Sequence, residues 1–311
     1  MSKLFRSGIR RYTHSIIFWL VVAVNIGAAI IGGYEARRFY FDDFYFTIAL
    51  IANTVMISWL VGREYEEGIF RNKVVSGHSK GSIYLSELIL GVGACIILYL
   101  LFVLIFLCFN HYIIGYAPVD VSLKVFVGGF LASACTAAIL VTVSALIPHR
   151  AITGIVNILL VFAMVLVTNS LQGELGAPEY WEDYEYEEVS YIGEDGNTHF
   201  SLEPIEGSEY LVKNERYIDG PLRNVLQFTY RIFPYTNITE GTSITNYWFG
   251  YEQVSIINNI EGTDLTWAEQ VDFTITDEEN HDLAINLIFT AVELMVICGI
   301  GYFCFRKKEL K

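Results

Sequence analysis

The sequence predicts an α-helical integral membrane protein. It carries six transmembrane helices, an amphipathic N-terminal helix, and a small α+β extracytoplasmic domain between spans five and six. Three observations predict this. The 311-residue chain is 53% hydrophobic and only 17% charged, with a mean hydropathy of +0.42, a balance typical of membrane proteins. It holds six apolar runs of about the 20 residues needed to cross the hydrocarbon core as a helix. Its acidic residues crowd into one stretch between the fifth and sixth runs.

Residues 2–13 (SKLFRSGIRRYT) form a basic segment in which Phe5, Ile9 and Tyr12 share a helical face, a pattern suited to the membrane interface. The same charges also serve as ordinary flanking charge. The six runs are Ser15–Gly33, Phe44–Val61, Ile83–Phe109, Leu123–Ile147, Ala151–Ser170 and Leu283–Phe305. The first follows Arg10 and Arg11 as a signal peptide would. It lacks a convincing small-residue cleavage site and five further spans follow, so it reads as retained.

Lys3, Arg6, Arg10 and Arg11 precede span one, and a basic-leaning loop joins spans two and three. His149 and Arg150 join spans four and five, and Arg306, Lys307, Lys308 and Lys311 follow span six. The positive-inside rule puts all of these on the cytoplasmic side, with both termini there. Small residues (Ala28/Gly32 and Ala29/Gly33 four apart, Gly91 and Gly93 opening span three, and Gly128, Gly129, Ala132 and Ser133 clustered in span four) predict close helix packing, within or between subunits.

Residues 171–281 hold 23 of the 34 acidic residues and only Lys213, Arg216, Arg223 and Arg231 as bases, so the stretch is about −19 and the rest about +5. Val189–Ile192, an Asp195-Gly196 turn and Thr198–Leu202 read as a hairpin. Leu222, Val225, Leu226, Thr229 and Tyr230 repeat at helical spacing until Pro234. Tyr247–Ile260 and Leu265–Ile275 add aromatic and β-branched residues. Trp181 and Trp248 are expected to hold this domain to the membrane surface. The domains expected are therefore 1–170, 171–281 and 282–311.

Cys95, Cys108, Cys135, Cys298 and Cys304 all fall within spans, leaving an outer region without disulfides, as expected of a bacterial cell membrane protein. The sequon at Asn237 is then incidental. No basic face suits nucleic acid. No metal-ligand spacing, phosphate-binding glycine loop or nucleophile elbow is present. The chain is not expected to be an enzyme or to hold a cofactor.

Residues 62–82 are the first functional candidate. Gly62 ends span two, and Glu64, Glu66 and Glu67 follow. Ile69, Phe70, Val74 and Val75 are apolar, flanked by Arg71 and Lys73; Ser76-Gly77 breaks the helix and Lys80 leads into span three. Such a short amphipathic helix suits a groove on a partner, or else is a solvated connector. The run Arg63-Glu64-Tyr65-Glu66-Glu67-Gly68-Ile69-Phe70-Arg71-Asn72-Lys73, with Ser76-Gly77 and Lys80, resembles type-two (ABC-2 type) ABC exporter permeases. In that family this loop is the coupling helix, seated in a cleft of the ATP-hydrolysing subunit. The closing Phe305-Arg306-Lys307-Lys308-Glu309, the six-span plan and the amphipathic N-terminal helix are similar too. The chain departs from the family at Ile69, where Thr is common, and in its long outer segment.

The resemblance implies a permease subunit of an ATP-driven exporter, dimeric with a second copy or a sister permease. It would bind ABC ATPase subunits through Glu64, Glu66, Gly68, Phe70, Arg71, Lys73, Gly77 and Lys80, with ATP and Mg held in the partner. The substrate class expected is amphipathic or hydrophobic: a peptide toxin or antimicrobial, a lipid-like molecule or a drug. Glu293, near mid-span, is a costly intramembrane carboxylate. With Asn25, Asn53 and Asn157 it is the candidate translocation path, or else a structural hydrogen-bonding group. Glu87 is expected to pair with Lys80 or an N-terminal arginine. The run Glu182–Glu188 reads as a solvated face or as a negative vestibule that draws cationic solutes. The competing class is a membrane receptor or sensor whose outer domain binds a ligand and which signals through a recruited partner.

Overall fold

The computed structural model describes residues 2–36, 43–109, 119–177, 179–183, 185–192, 198–205, 210–245 and 277–309. Its helices are α1 (Ser2–Thr13), α2 (Ile16–Ala36), α3 (Phe44–Glu66), α4 (Ile69–Val75), α5 (Lys80–Phe109), α6 (Val119–Leu146), α7 (Arg150–Leu175) and α8 (Gly220–Ile232). Residues 236–245 are helical (α9), and α10 is Asp277–Lys307. Six of these, α2, α3, α5, α6, α7 and α10, are long and apolar enough to cross a membrane. The chain is a helical multi-pass membrane protein. Most helices run past their apolar stretches: α3 continues to Glu66 and α10 begins at Asp277, because the backbone bonds of a helix continue wherever no residue interrupts them.

The chain divides into two compact units, Met1–Asn169 with Thr229–Lys311, and Ser170–Phe228. In the second unit β1 (Tyr180–Asp183) pairs antiparallel with β4 (Tyr210–Lys213), and β2 (Tyr186–Ile192) with β3 (Thr198–Pro204). The Arg223 guanidinium donates to the Leu175 carbonyl at 2.9 Å and stacks over the Tyr217 ring. α8 stops before Pro234, whose ring cannot continue a helix. The Asp195-Gly196 turn, Trp248 and the stretches 247–260 and 265–275 lie outside the described residues.

The first unit holds the span bundle and its core. Small residues bring its helices together within the chain at several of the predicted positions, though Gly93 faces open space. Gly33 lies against the Phe106 carbonyl and Phe109 on α5, Gly32 against Tyr45 on α3, and Gly129 against the Tyr99 ring. Tyr99 then donates to the Phe126 carbonyl at 2.9 Å. α6 and α10 run in the same direction, since Gly128 adjoins Leu287 and Thr142 adjoins Gly301, while Leu146 bonds Lys308. Pro234 through Thr239 are buried. Tyr235 there donates to Asp43 at 2.8 Å and lies 2.5 Å from the Thr47 hydroxyl, which ties this segment to the start of α3. Burial of Asn237 makes its sequon inaccessible to a glycan.

A methyl group added at Gly301 falls against the Tyr84 hydroxyl and Thr142, whereas one at Gly299, two residues earlier, meets open space. Gly301→Ala is expected to cost about 1–3 kcal/mol by overpacking. Gly299→Ala should be neutral or slightly stabilising. The thermal midpoints of the two purified variants check the difference.

Candidate functional site

The connection between α3 and α5 is built by two glycines. Gly68 has φ +69° and Gly77 has φ +89°, left-handed conformations that glycine adopts without a Cβ penalty. The first turns the chain out of α3 and the second ends α4. Ser76 Oγ bonds the carbonyls of Asn72 and Lys73 at 3.0 and 2.9 Å. Ser79 Oγ accepts the Ser82 amide at 3.2 Å, capping the start of α5.

These turns give α4 two faces. On the inner face Phe70 is buried edge-on between Tyr65 and Phe305, with centroids 5.8 and 5.5 Å away. One turn on, Lys73 Nζ lies 2.5 Å from Glu64 and 3.0 Å from Glu87. The outer face exposes Arg71, Asn72, Val75, Ser76 and Gly77, and Val75 is 80% exposed. Beside it Glu66 meets Arg150 at 3.4 Å, and Arg63 pairs with Glu67 at 2.6 Å. Arg150 also sits 4.1 Å over the Trp59 ring.

The inner face opens onto a closed set of charges. Arg11, on α1, pairs with Glu64 and, at 2.6 Å, with Glu87. Arg11, Lys73, Glu64 and Glu87 thus form a neutral quartet joining α1, α3, α4 and α5. Glu64 and Glu87 are almost wholly buried. In such a site desolvation is costly, and the pairing offsets it only while every member is present. Burial pulls the Lys73 amine below its usual range, and the Glu87 charge pulls it partly back. Tyr12, packed beside Arg11, has its phenol pushed up by burial. Of the two partners expected for Glu87, the arginine is found. Lys80 instead donates to the Lys308 carbonyl at 2.6 Å.

Lys308 closes the same end of the bundle. Its ammonium donates to the Leu146 and Ala145 carbonyls at 2.6 and 3.2 Å, where the C-terminus of α6 leaves acceptors unpaired. It also lies 3.9 Å over the Tyr65 ring. Burial lowers its amine to about 8.

The predicted coupling residues therefore separate. Glu64, Phe70, Lys73 and Lys80 face inward as anchors, Gly68 and Gly77 form the turns, and Glu66 and Arg71 face outward. Arg11, Tyr65, Phe305 and Lys308 complete the site, and sequence reasoning had not assigned them to it. A basic residue at the mouth of one span and a carboxylate inside another were the available signal.

The predicted path residues do not converge. Asn25 donates to Asn53 at 3.2 Å, joining α2 to α3. Asn157 donates to Ser58 and Ser144 at 2.8 and 2.9 Å, joining α7 to α3 and α6. Glu293 is bonded not by these asparagines but by the Cys135 thiol of α6. No group of His, Cys, Asp and Glu able to hold a metal occurs among the described residues. No family model, curated protein or solved structure matches this chain.

Removing Lys73 leaves two buried carboxylates facing Arg11 alone. Lys73→Met is expected to destabilise by about 3–5 kcal/mol, and Lys73→Met/Glu87→Met to recover part of that loss. Arg71→Ala should stay within about 0.5 kcal/mol of the parent. Unfolding of the purified proteins in mixed micelles measures all three.

Proposed function

We propose that this chain is the transmembrane permease subunit of an ATP-driven ABC exporter. The observation that carries the reading is α4, a short helix clamped on one face and presented on the other. A push on its outer face cannot be absorbed by local bending. Lys73 passes it to α3 through Glu64 and to α5 through Glu87, and Phe70 passes it to α10 through Phe305. That is what a coupling element requires: the free energy of nucleotide binding in one subunit must become movement in another.

In this reading the charged end of the bundle faces the cytoplasm of a bacterial cell and receives ABC ATPase subunits, which hold ATP and Mg. The partner contacts are Arg71, Asn72, Val75 and Glu66; Glu64, Phe70, Lys73 and Lys80 hold the helix for them. A second copy or a sister permease completes the transport path. On α7, Ile152, Ile155, Leu159, Phe162 and Leu166 are all exposed at alternating spacings of three and four, a continuous apolar face open to lipid or to that second subunit. The substrate is amphipathic or hydrophobic, a peptide toxin or antimicrobial, a lipid-like molecule or a drug, moved out of the cell.

Affinity purification from native membranes tests the coupling surface. The parent is expected to carry an ATPase subunit with it. Arg71→Glu/Val75→Asp should lose at least tenfold of that partner, by analogy with the loss of central interface contacts, while melting as the parent does. Recovery of no ATPase by the parent would sink the exporter reading. Oxidative cross-linking through Leu159→Cys, in a background without the native cysteines, is expected to trap a dimer if α7 is the shared seam.

A further inference from the structure

Most buried polar atoms in a folded chain have a hydrogen-bond partner, and three of the nine exceptions among the described residues are acceptors on α9 and α10. Among the described residues, Asn237 Oδ1, Asn286 Oδ1 and Glu293 Oε2 are buried acceptors without a partner. Asn286, Thr290 and Glu293 follow one another at spacings of four and three along α10, so they share one helical face. Asn237 comes from α9 and donates its amide to Thr290 Oγ1 at 2.6 Å.

The amide assignment is fixed by the network. The Thr290 hydroxyl gives its own proton to the Asn286 carbonyl at 3.0 Å, so it must accept from Asn237. The oxygen of Asn237 is therefore the atom left over. Asn237 and Asn286 are 1% and 3% exposed, which excludes bulk water as the missing partner. Across the seam, α6 offers Gly128, Ala132 and Cys135, again on one face. Gly128 adjoins Asn237, and the Cys135 thiol bonds Glu293. Small groups on α6 thus stand opposite polar groups on α10 along two parallel helices.

The three free atoms are all acceptors, so the missing occupant is a donor or a cation. One of the three is a carboxylate oxygen, and the two amides and the Thr290 hydroxyl carry no charge. With Glu293 ionised the set therefore carries one negative charge, which a single positive charge would balance. Divalent ions call for more carboxylates, and no such group exists among the described residues. Glu293 lies about halfway along α10, where an uncompensated carboxylate is costly.

We propose that the α6–α10 seam, at Asn237, Asn286, Thr290 and Glu293, binds a monovalent cationic group. The group is the ammonium head of an amphiphilic substrate or an alkali cation. The ammonium form of this proposal rests on the exporter reading and narrows its substrate class to cationic amphiphiles. The site itself does not depend on an ATPase.

Thermal melting of the chain in zwitterionic lipid nanodiscs, without any ATPase, tests the site. n-Octylammonium, its neutral counterpart n-octanol, sodium chloride and choline chloride are titrated separately. A saturable rise in the midpoint of a few degrees with octylammonium and not octanol assigns the site to an organic ammonium. The same rise with sodium and not choline assigns it to the inorganic ion. In either case Glu293→Gln should weaken the apparent affinity by roughly ten- to a hundredfold, and Asn286→Leu should weaken it less. Equal shifts with octanol and octylammonium overturn the proposal, as do undiminished shifts in Glu293→Gln or no shift with any cation. Because no ATPase is present, failure here leaves the coupling experiment untouched, and failure there leaves this site standing.

Discussion

Two carboxylates held away from water, each facing two cations, organise one end of this bundle. Glu64 and Glu87 are almost wholly buried, and neither Arg11 nor Lys73 alone neutralises both. In a low-dielectric setting such charges are tolerable only as a complete set with good geometry. The requirement reaches beyond the four residues. Arg11 must be presented by α1, Lys73 by α4, and the carboxylates by α3 and α5, so the positions of four helices are fixed together. Gly68 and Gly77 follow from the same constraint, because α4 reaches the quartet only if the chain turns sharply on either side of it.

A second constraint acts through shape. Lys308 satisfies the carbonyls that end α6, and Phe305 packs against Phe70 and Tyr84. The last helix therefore reports to the same end of the molecule as the first. The Lys308 ammonium over the Tyr65 ring adds a cation–π contact to that closure. α4 is thereby held by side-chain contacts to α3, α5 and α10 together.

The two charge systems of the membrane body are chemically opposite. The quartet is balanced within the chain and reads as structural support for a presented surface. At the α6–α10 seam Glu293 has a thiol for a partner and leaves acceptors over. The first balances its charge within the chain; the second does not.

Much of this molecule was written in local pattern. Six apolar runs, the amphipathic segment before them, Gly77 as a break and Pro234 as a stop all follow from hydrophobic length and backbone preference, which act over a few neighbouring residues. Gly62, read as the end of span two, instead lies inside a helix that continues to Glu66. Glu87 was recognisable as needing a cation, but sequence could not choose between Lys80 and an arginine. The choice depends on where α1 crosses α5, a contact spanning 76 residues of chain. Glu293 stood out as a mid-span carboxylate, yet Cys135 and Asn237 entered its neighbourhood only when α6, α9 and α10 packed together. Nor could the spacing of residues 62–82 separate anchors from presented residues, since Phe70 and Val75 are both apolar and only packing buries one of them. Sequence by itself determined what must cross the membrane and where the chain must turn, because those depend on solvent transfer and steric freedom at each residue. Tertiary structure alone decided which charges meet and which polar atoms are left open, because those depend on helices distant in the chain coming to lie side by side.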